Sequence, residues 1–561
     1  MKLLPMRMSS KIKNITIIIL GIILLNVASQ YIYKRFDLTK DGRYTLSEAT
    51  KAIIKSNETP LIIDVFLVGN LPSEFKLLQS ETKQLIEEFQ TINPLIKVNY
   101  IDPLEDEANR EAIIRELTRS GLEPYVNSKK VSGKITQELL FPWGFASYNG
   151  RTVKIPLFKK SITEDLQTQV ANSIQQLEYN FADAFQQITT EKSKTIAILK
   201  GNGQLPDRNI QDFLKTIKPY YNIAPFTLDS VATNAESTLN KLNKYDLVIS
   251  AKPTEAFSEN EKLVLDQYTM SGGKSIWLTE AVFMDKDSLY NNKSASVSTV
   301  KDLNLTDFFF SYGVRINSNL VKDLYSAPIP LAIGEGSNTQ FQPVQWQYSP
   351  LASANIKHPI SDNIDLVKFD FASQIDTLKN TVDKTILLQS SDRTKVEGAL
   401  KTISLASVTQ QPDIENYNQG HQPLAVLLQG EFTSVYKNRI LPIDIKNFKD
   451  KSQKTKMIVI SDGDLIKNEL SRSGPLQLGF ERITGRTYAN KEFLLNAVNY
   501  LLDDTGLIDI RAKSVEIAFL DLEKIDDQKE KWQFINLVLP LLFLGIFGVL
   551  FNYFRKRKYA R

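Results

Sequence analysis

The far end of the chain most constrains what it can fold into. Residues 534–554 carry no charged side chain, and the basic tail 555–561 follows directly. An apolar run of about 20 residues spans a bilayer core as a helix, and a helix satisfies its own backbone hydrogen bonds. A buried core helix usually keeps a polar stripe. We therefore predict a transmembrane helix at 534–554, with Lys531 and Trp532 as its interfacial anchor.

A second apolar run, 15–33, lies near the start of the chain. Val27-Ala-Ser29 would serve as a cleavage site, so a cleaved signal peptide is the alternative to a retained helix. Apolar and aromatic character continues past that site to Phe36, which favours a retained transmembrane helix. Either interpretation places the following residues outside the cytoplasm.

Basic residues flank both runs on the terminal side, in 1–14 and in 555–561. Positively charged flanks of transmembrane helices tend to stay in the cytoplasm. Basic residues just after the first run weaken the contrast there, but two spans require both termini to share one side. We expect an inner (cytoplasmic) membrane protein with two spans, both termini cytoplasmic and its bulk in the periplasm.

The composition excludes several classes of chemistry. Cysteine is absent from the 561 residues, so disulfides, thiolate metal sites and cysteine nucleophiles are excluded. Two histidines cannot supply a metal site with three histidine ligands. The net charge of +4 is small for this length, so no nucleic-acid partner is predicted. The length predicts several domains.

The first predicted domain, 36–158, has an α/β pattern. A strand-like run at 61–67 precedes an amphipathic helix, and a second strand at 96–101 precedes a helix at 105–117. Two extended runs then flank Asn149-Gly150, a strong hairpin signal. This order is typical of a thioredoxin-like unit, and without cysteine it has no redox function.

A long amphipathic helix is predicted at 161–190, with Ser161 and Glu164 as its capping box. Its face opposite the apolar residues is rich in glutamine and asparagine. Two interpretations remain open: the helix links two domains, or it packs against a partner chain.

The second predicted domain, 194–510, alternates buried strands and helices at the spacing of a parallel sheet covered on both faces. Short extended runs predict a β-rich insertion at about 328–422. A membrane-proximal segment, 511–531, then leads to the last helix. The predicted fold class is thus α/β, with two transmembrane helices flanking a multidomain extracytoplasmic region.

Few motifs carry chemistry. Gly201-Asn-Gly203 follows a strand but lacks the third glycine and the lysine of a phosphate-binding loop, so a plain turn is favoured. Asp462-Gly-Asp464 also ends a strand, where it could hold a cation or act in acid–base chemistry. A turn that caps the next helix is the favoured interpretation.

Three further groups of residues could form sites. His358 precedes a proline and is expected to make a loop hydrogen bond, whereas His421 lies in a polar loop with no evident partner. Phe341, Trp346 and Tyr348 could stack on a sugar, although core packing is favoured. No hydrolase motif occurs, and we predict no catalytic residue, cofactor or metal ligand.

The order of motifs between the two spans resembles a known family. The matching segments are Phe36-Asp-Leu-Thr39, Tyr44-Thr-Leu-Ser47, Val98-Asn-Tyr-Ile-Asp-Pro103, Lys200-Gly-Asn-Gly203, His358-Pro-Ile-Ser361, Gln429-Gly-Glu-Phe-Thr-Ser434 and Val459-Ile-Ser-Asp-Gly-Asp464. Together they are similar to the gliding-motility-associated ABC-transporter component G of Bacteroidetes (GldG family). The resemblance covers nearly the whole chain, although each motif alone is weak.

The resemblance implies an ATPase subunit and a permease subunit as partners, and a role in gliding. It also implies a flavodoxin-like or amidotransferase-like fold for the second α/β unit. Where related turns carry Gly-His-Gly-Glu, this chain has Gly201-Asn-Gly-Gln204, so any chemistry tied to that histidine or glutamate is in doubt. We expect a non-enzymatic accessory subunit. A membrane-tethered periplasmic enzyme or a ligand-binding module acting on glycans or peptides is the alternative.

Overall fold

The structure is a computed structural model. It describes residues 17–23, 26, 45–69, 71–131, 134–291, 294–333, 340–513 and 522–559. Of the first predicted span, 15–33, the described part is helical and exposed over 17–23, and most of the rest lies outside the described residues. The predicted cytoplasmic terminus 1–14 and part of the membrane-proximal segment 511–531 also lie outside them.

Eleven labelled helices are used below. They are α1 Glu48–Lys55, α2 Ser73–Ile92, α3 Arg110–Arg119, α4 Leu166–Thr189, α5 Gln211–Ile217, α6 Ala235–Leu242, α7 Glu259–Met270, α8 Ser288–Asn291, α9 Thr306–Tyr312, α10 Asn490–Leu502 and α11 Leu522–Tyr559.

The first α/β unit is built on a four-stranded sheet and a separate hairpin. Its strands are β1 Leu61–Val65, β2 Ile96–Tyr100, β3 Tyr125–Val131, β4 Lys134–Leu140, β5 Trp143–Tyr148 and β6 Arg151–Pro156. The sheet order is β2-β1-β5-β6, with β2 parallel to β1 and the other pairs antiparallel. Helices α2 and α4 bury Phe89, Phe181 and Phe185 in its core. The predicted strand–helix order and the hairpin at Asn149-Gly150 are confirmed.

Two local predictions were wrong. The helix expected at 105–117 begins only at Arg110, because the Asp106 carboxylate accepts from the backbone N–H groups of Ala108 and Asn109 and forms a turn instead. The capping box at Ser161 and Glu164 does not form. Asp165 caps α4 by accepting from Thr168 N at 2.8 Å, and Glu164 accepts from Asn172.

The second unit contains the remaining strands. These are β7 Thr195–Lys200, β8 Asn222–Thr227, β9 Leu247–Ala251, β10 Lys274–Leu278, β11 Val282–Phe283, β12 Ala295–Val297, β13 Thr299–Val300, β14 Val314–Ile316, β15 Asn319–Asp323, β16 Ser326–Ile333, β17 Gln340–Ala354, β18 Val367–Lys368, β19 Ile375–Thr377, β20 Asp383–Gln389, β21 Thr394–Gly398, β22 Thr402–Ser404, β23 Pro423–Thr433, β24 Lys451–Ile460, β25 Leu470–Ser471, β26 Gly474–Pro475, β27 Phe480–Glu481 and β28 Arg486–Thr487.

One ten-stranded sheet organises this unit, in the order β16-β17-β20-β23-β24-β10-β9-β7-β8, with β18 beside β17. From β24 to β8 the neighbours are parallel, and from β24 to β16 they are antiparallel. Strands β17 and β20, from the segment predicted as β-rich, therefore extend the same sheet. All five residues of β9 are buried, as expected for a parallel strand covered on both faces.

Alternate residues of the parallel strands pack on opposite layers. On one face, Ile249 and Ile458 contact the cluster that contains Phe213 of α5 and Phe493 of α10. On the other face, Trp277 packs edge-on against aromatic rings of α9 and Phe257. This three-layer packing fixes where the carboxyl ends of the strands lie.

The two ends of the extramembrane body meet at Glu178 of α4. Its Oε1 accepts from Ser47 N at 2.6 Å and from Thr50 Oγ1 at 3.0 Å. Lys513 Nζ lies 3.1 Å from Oε2 and donates to Thr45 O at 2.9 Å. Thr45 and Lys513, at the two ends of the extramembrane body, are therefore in contact.

Helix α11 ends the described chain. Its segment Gln528–Tyr559 is, within the described residues, the one helix long and apolar enough to cross a membrane, and none of it is buried against the body. Pro540 lies inside it without interrupting it. The predicted helix at 534–554 is thus confirmed as a helix, and its exposed apolar surface associates the chain with a membrane.

Candidate functional site

Charged side chains lie together at the carboxyl ends of three neighbouring parallel strands of the large sheet. Lys252 follows β9, Glu280 lies two residues after β10, and Asp462 and Asp464 follow β24. Ligands of α/β sheets commonly bind at the carboxyl ends of the strands. We call these four residues the carboxylate–lysine cluster.

Lys252 lies at the centre of the cluster. Its Nζ donates to Asp464 Oδ2 at 2.6 Å and lies 3.0 Å from Glu280 Oε1. Its φ of +52° is unusual for a residue with a side chain, and such backbone conformations concentrate at functional sites. Burial disfavours the ammonium, but the Asp464 and Glu280 carboxylates outweigh that effect and raise the pKa of Lys252.

Gly463 gives Lys252 room. A Cβ on this glycine would lie 2.5 Å from Lys252 Cγ and 3.0 Å from its Cα. The absence of a side chain at 463 therefore allows the lysine stem to pass directly over the turn between the two aspartates.

Asp462 is fully buried and its two oxygens are both used by the backbone. Oδ1 accepts from Asp464 N and Oδ2 from Asp370 N, each at 2.7 Å. The predicted turn-capping role is thus present, although a short 3₁₀ turn follows and not an α-helix. Burial, together with the Asp464 and Glu280 charges, raises the pKa of Asp462 well above its usual range.

Glu280 is 3% exposed, and neither of its carboxylate oxygens makes a hydrogen bond within the described structure. Lys252 approaches it as an ion-pair partner outside hydrogen-bond geometry. Burial raises the pKa of Glu280 to about 8, and the Asp464 charge adds to this effect. Glu280 can therefore hold or release a proton near neutral pH, or accept a cation.

The cluster continues into a second group of charges around Asp370. Lys286 and Lys368 place their Nζ atoms 3.5 and 3.6 Å from the Asp370 carboxylate, which also accepts from Ser349. Burial would raise the pKa of Asp370, but the two lysines hold it at about 2. Asp370, Asp462 and Asp464 line one cavity of about 370 Å³.

Both signs of charge face this cavity. Besides the three aspartates, its wall carries Lys286, Lys368, Lys467, Glu469, Glu481 and Arg482. Small-ligand sites are concave and carry a few convergent polar groups, and this partly enclosed cavity has both features. The arrangement suits a cation on the carboxylate side and an anionic or polar group on the lysine side.

The other motifs do not join the cluster. Gly201 and Gly203 have φ of +110° and +68°, and Asn202 is buried between them. The Asn202 carbonyl accepts from the backbone N–H groups of Thr254 and Glu255. A Cβ on Gly203 would lie 2.1 Å from Thr254 Oγ1, so this turn packs closely against the segment after β9. The predicted turn is present.

The histidines and aromatic residues have local partners. His358 Nδ1 accepts from Ile360 N, and His421 Nδ1 lies 2.9 Å from Ser390 O. Trp346 and Tyr348 are buried in one core cluster, whereas Phe341 is 59% exposed. Core packing of the first two aromatic residues is confirmed, and the three do not form one stacking surface.

Sequence reasoning found Asp462 and Asp464 but missed Lys252 and Glu280. A usable signal existed for both, because each is the first charged residue after a buried strand, in Ser250-Ala-Lys252 and in Leu278-Thr-Glu280. Their pairing depends on strand order, since β9, β10 and β24 are neighbours although β24 lies far away in the chain.

Two family models match the chain. Residues 193–497 match the family described as an ABC-type uncharacterized transport system, a family of auxiliary components. Residues 40–147 match a domain of unknown function, DUF7088. The first match covers the large sheet and the whole carboxylate–lysine cluster.

Individual proteins are more distant. An uncharacterized protein of Borreliella burgdorferi is 20% identical over 552 residues, which is 97% of each chain. Two solved structures align with 55% of this chain at 13% identity: the N-terminal domain of mmIFT52, with a TM-score of 0.31, and a ThuA-like protein of Parabacteroides merdae, with a TM-score of 0.26.

Proposed function

This chain belongs to the family of ABC-type uncharacterized transport system auxiliary components, and on that basis we propose that it is a non-enzymatic, membrane-anchored accessory subunit of an ABC transporter. An ATPase subunit and a permease subunit would be its partners. The family match over 193–497 is the observation that carries this proposal. The sequence has no Walker motif, so ATP hydrolysis would belong to another chain.

Two spans in the inner membrane form part of the proposal. Helix α11 supports one of them. Support for the second comes from the contact between Lys513 and Thr45, because a chain that enters the bilayer at both ends needs those ends on one side of its body. Both termini would be cytoplasmic and the body periplasmic, with a thioredoxin-like first unit and a flavodoxin-like or amidotransferase-like second unit.

The role in gliding motility rests on the ordered motifs that resemble component G of Bacteroidetes. In a gliding host, deletion of the gene should stop colony spreading, and expression of the intact chain should restore it. Normal spreading of the deletion strain would leave the transporter role standing but remove the motility role.

Co-purification from native membranes tests the transporter role. The chain, tagged after Arg561 and expressed from its own promoter, should recover one ATPase and one permease after gentle detergent extraction. A tagged, unrelated two-span protein is the control. Recovery of the chain alone, at native levels and in several mild detergents, would contradict the proposal.

Membrane topology has a separate test. Protease added to intact spheroplasts should cleave the body between the spans, and a reporter fused after Arg561 should remain protected. An accessible reporter together with an uncut body would overturn the orientation.

A ligand-binding module is the second candidate function, because the cavity beside the carboxylate–lysine cluster is polar, charged and partly enclosed. In this case the body would present a small glycan or peptide to the permease. Equilibrium binding to a panel of charged sugars and short peptides would distinguish this role from a purely structural one.

A further inference from the structure

Glu280, Asp462 and Asp464 each offer one carboxylate oxygen, and these three atoms lie within 4.8 Å of one another. Oxygens bound to one Mg²⁺ or Ca²⁺ ion lie about 2.0–2.6 Å from it, so they are at most about 4–5 Å apart. The spacing therefore fits a single ion. The three side chains come from loops after two adjacent parallel strands, β10 and β24, which hold them in place.

The charge balance also favours a cation. When ionised, the three carboxylates carry three negative charges. Their described ion-pair partners are Lys252, which reaches Glu280 and Asp464, and Lys467, which lies 3.8 Å from Asp464 Oδ1. Burying unpaired charge is costly unless a counter-charge or metal accompanies it. Two lysines against three ionised carboxylates leave an excess of negative charge, which a bound cation would balance.

The lack of hydrogen bonds to Glu280 is an independent observation, and a comparison with Asp266 shows it best. Both carboxylates are buried, but Asp266 accepts four hydrogen bonds, from Gln267, Tyr312, Ser434 and Val435 N. Glu280 accepts none within the described structure, and Asp464 Oδ1 accepts none either. Lys252 and Lys467 reach Glu280 Oε1 and Asp464 Oδ1 as ion-pair partners, at 3.0 and 3.8 Å. Buried acceptors in native structures nearly always have hydrogen bonds, so these oxygens, which have none, remain available to a bound cation.

We propose that Glu280, Asp462 and Asp464 form a binding site for one hard divalent cation, Mg²⁺, Mn²⁺ or Ca²⁺. Carboxylate oxygens are the ligands that these ions prefer, and the cluster has no sulfur or imidazole ligand for softer metals. Asp462 and Asp464 line the cavity of about 370 Å³, through which the ion would reach them, although Glu280 does not line it. This inference stands apart from the transporter role.

Lys252 competes with the ion in this site, since its ammonium contacts the same Asp464 and Glu280 carboxylates. The site thus predicts opposite effects for two substitutions. Glu280→Gln removes a ligand and weakens binding. Lys252→Met removes the competing charge, keeps a stem that packs over Gly463, and strengthens binding.

The test uses the full chain in detergent, stripped with a chelator, and follows the loss of the free Mn²⁺ signal by electron paramagnetic resonance. We expect one saturable site per chain, a tenfold or greater loss of affinity in Glu280→Gln, and a severalfold gain in Lys252→Met. Asp376→Asn is the control, because this partly exposed aspartate pairs with Arg315 in a separate sheet. It should bind as the unmodified chain does.

Several results would overturn the site. They are the absence of saturable binding in millimolar Mn²⁺, equal affinity of Glu280→Gln and the unmodified chain, or unchanged or weaker binding by Lys252→Met. If Glu280→Gln fails to fold by circular dichroism, the direction of the Lys252→Met change still decides.

Discussion

The carboxylate–lysine cluster is packed so tightly that it has no space for one added methyl group at Gly463. Gly463 sits between Asp462 and Asp464, and its α-carbon faces the stem of Lys252. A Cβ added at Gly463 would meet Cγ, Cβ and Cα of Lys252. These atoms are fixed by the backbone and cannot move aside as the end of a flexible side chain can. The turn at 462–464 and the side chain of Lys252 are therefore packed together and cannot move independently.

Gly463→Ala should lower the free energy of unfolding by about 1–3 kcal/mol, the usual cost of overpacking. Urea denaturation of the full chain in detergent measures it. Gly398→Ala is the matched control: nothing lies within 4 Å of its Cβ position, so its effect should stay within about 0.5 kcal/mol. Equal stability of the two variants would mean that Lys252 does not need the space over Gly463.

At the scale of elements, α4 is the part that both units share. It packs on the first sheet through its apolar face, while Gln176 Nε2 donates to Asn363 O in the second unit. Arg511 and Lys159 both reach Glu492 of α10 at 2.8 Å beside it. The glutamine-rich face that could have met a partner chain therefore meets this chain's own second unit, at least around Gln176.

Asp183, a half-buried carboxyl on α4, makes this contact sensitive to pH. Asp183 accepts from Tyr220 Oη at 2.7 Å and from Gln187 Nε2 at 2.9 Å, and burial raises its pKa to about 6. The folded chain thus binds a proton that the unfolded chain, with a pKa near 4, has lost. The stability that this proton contributes is present below about pH 4 and is lost as pH rises through about 6.

Asp183→Asn cannot lose that proton, so its stability relative to the unmodified chain should rise by about 1–3 kcal/mol between pH 4 and pH 7. Urea denaturation of both chains at several pH values measures the difference. Subtracting one curve from the other removes the opposite trend of His358, whose pKa burial and Lys456 lower to about 4. A difference that does not change with pH would contradict the raised pKa.

Elements with strong local patterns were predictable, and long-range pairings were not. Helix α7 follows its N-cap Ser258, which forms a capping box with Glu261, and it ends before Gly272-Gly273. The capping residues and the glycine pair can both be read from the sequence. The sequences of strands β17 and β20 show only short, unpatterned runs, because their burial comes from joining a sheet whose other members lie far away in the chain. For the same reason Glu280 could not be paired with Asp464 until the order β9-β10-β24 was known.

At the scale of the whole molecule, Glu178 joins the two ends of the body. Glu178→Ala removes the acceptor of Ser47 N and Thr50 Oγ1 and one of the two acceptors of Lys513 Nζ, at a cost of about 2–4 kcal/mol. Backbone hydrogen exchange over residues 45–55 and 508–513 should rise together. Glu48→Ala, on the same helix α1 but exposed, should leave both segments unchanged. Faster exchange in only one segment would show that the ends are held independently.

The adjacency of Thr45 and Lys513 also has a mechanical consequence. Force applied through the two ends would act first on this contact and on the docking of α1, before it reached any strand of either sheet. The body would unfold progressively, starting from the side where Thr45 and Lys513 meet, and its two sheets would not separate at once. In the proposed two-span arrangement, relative sliding of the two helices would therefore act on the Glu178 contacts before it disturbed the strand ends that carry the carboxylate–lysine cluster.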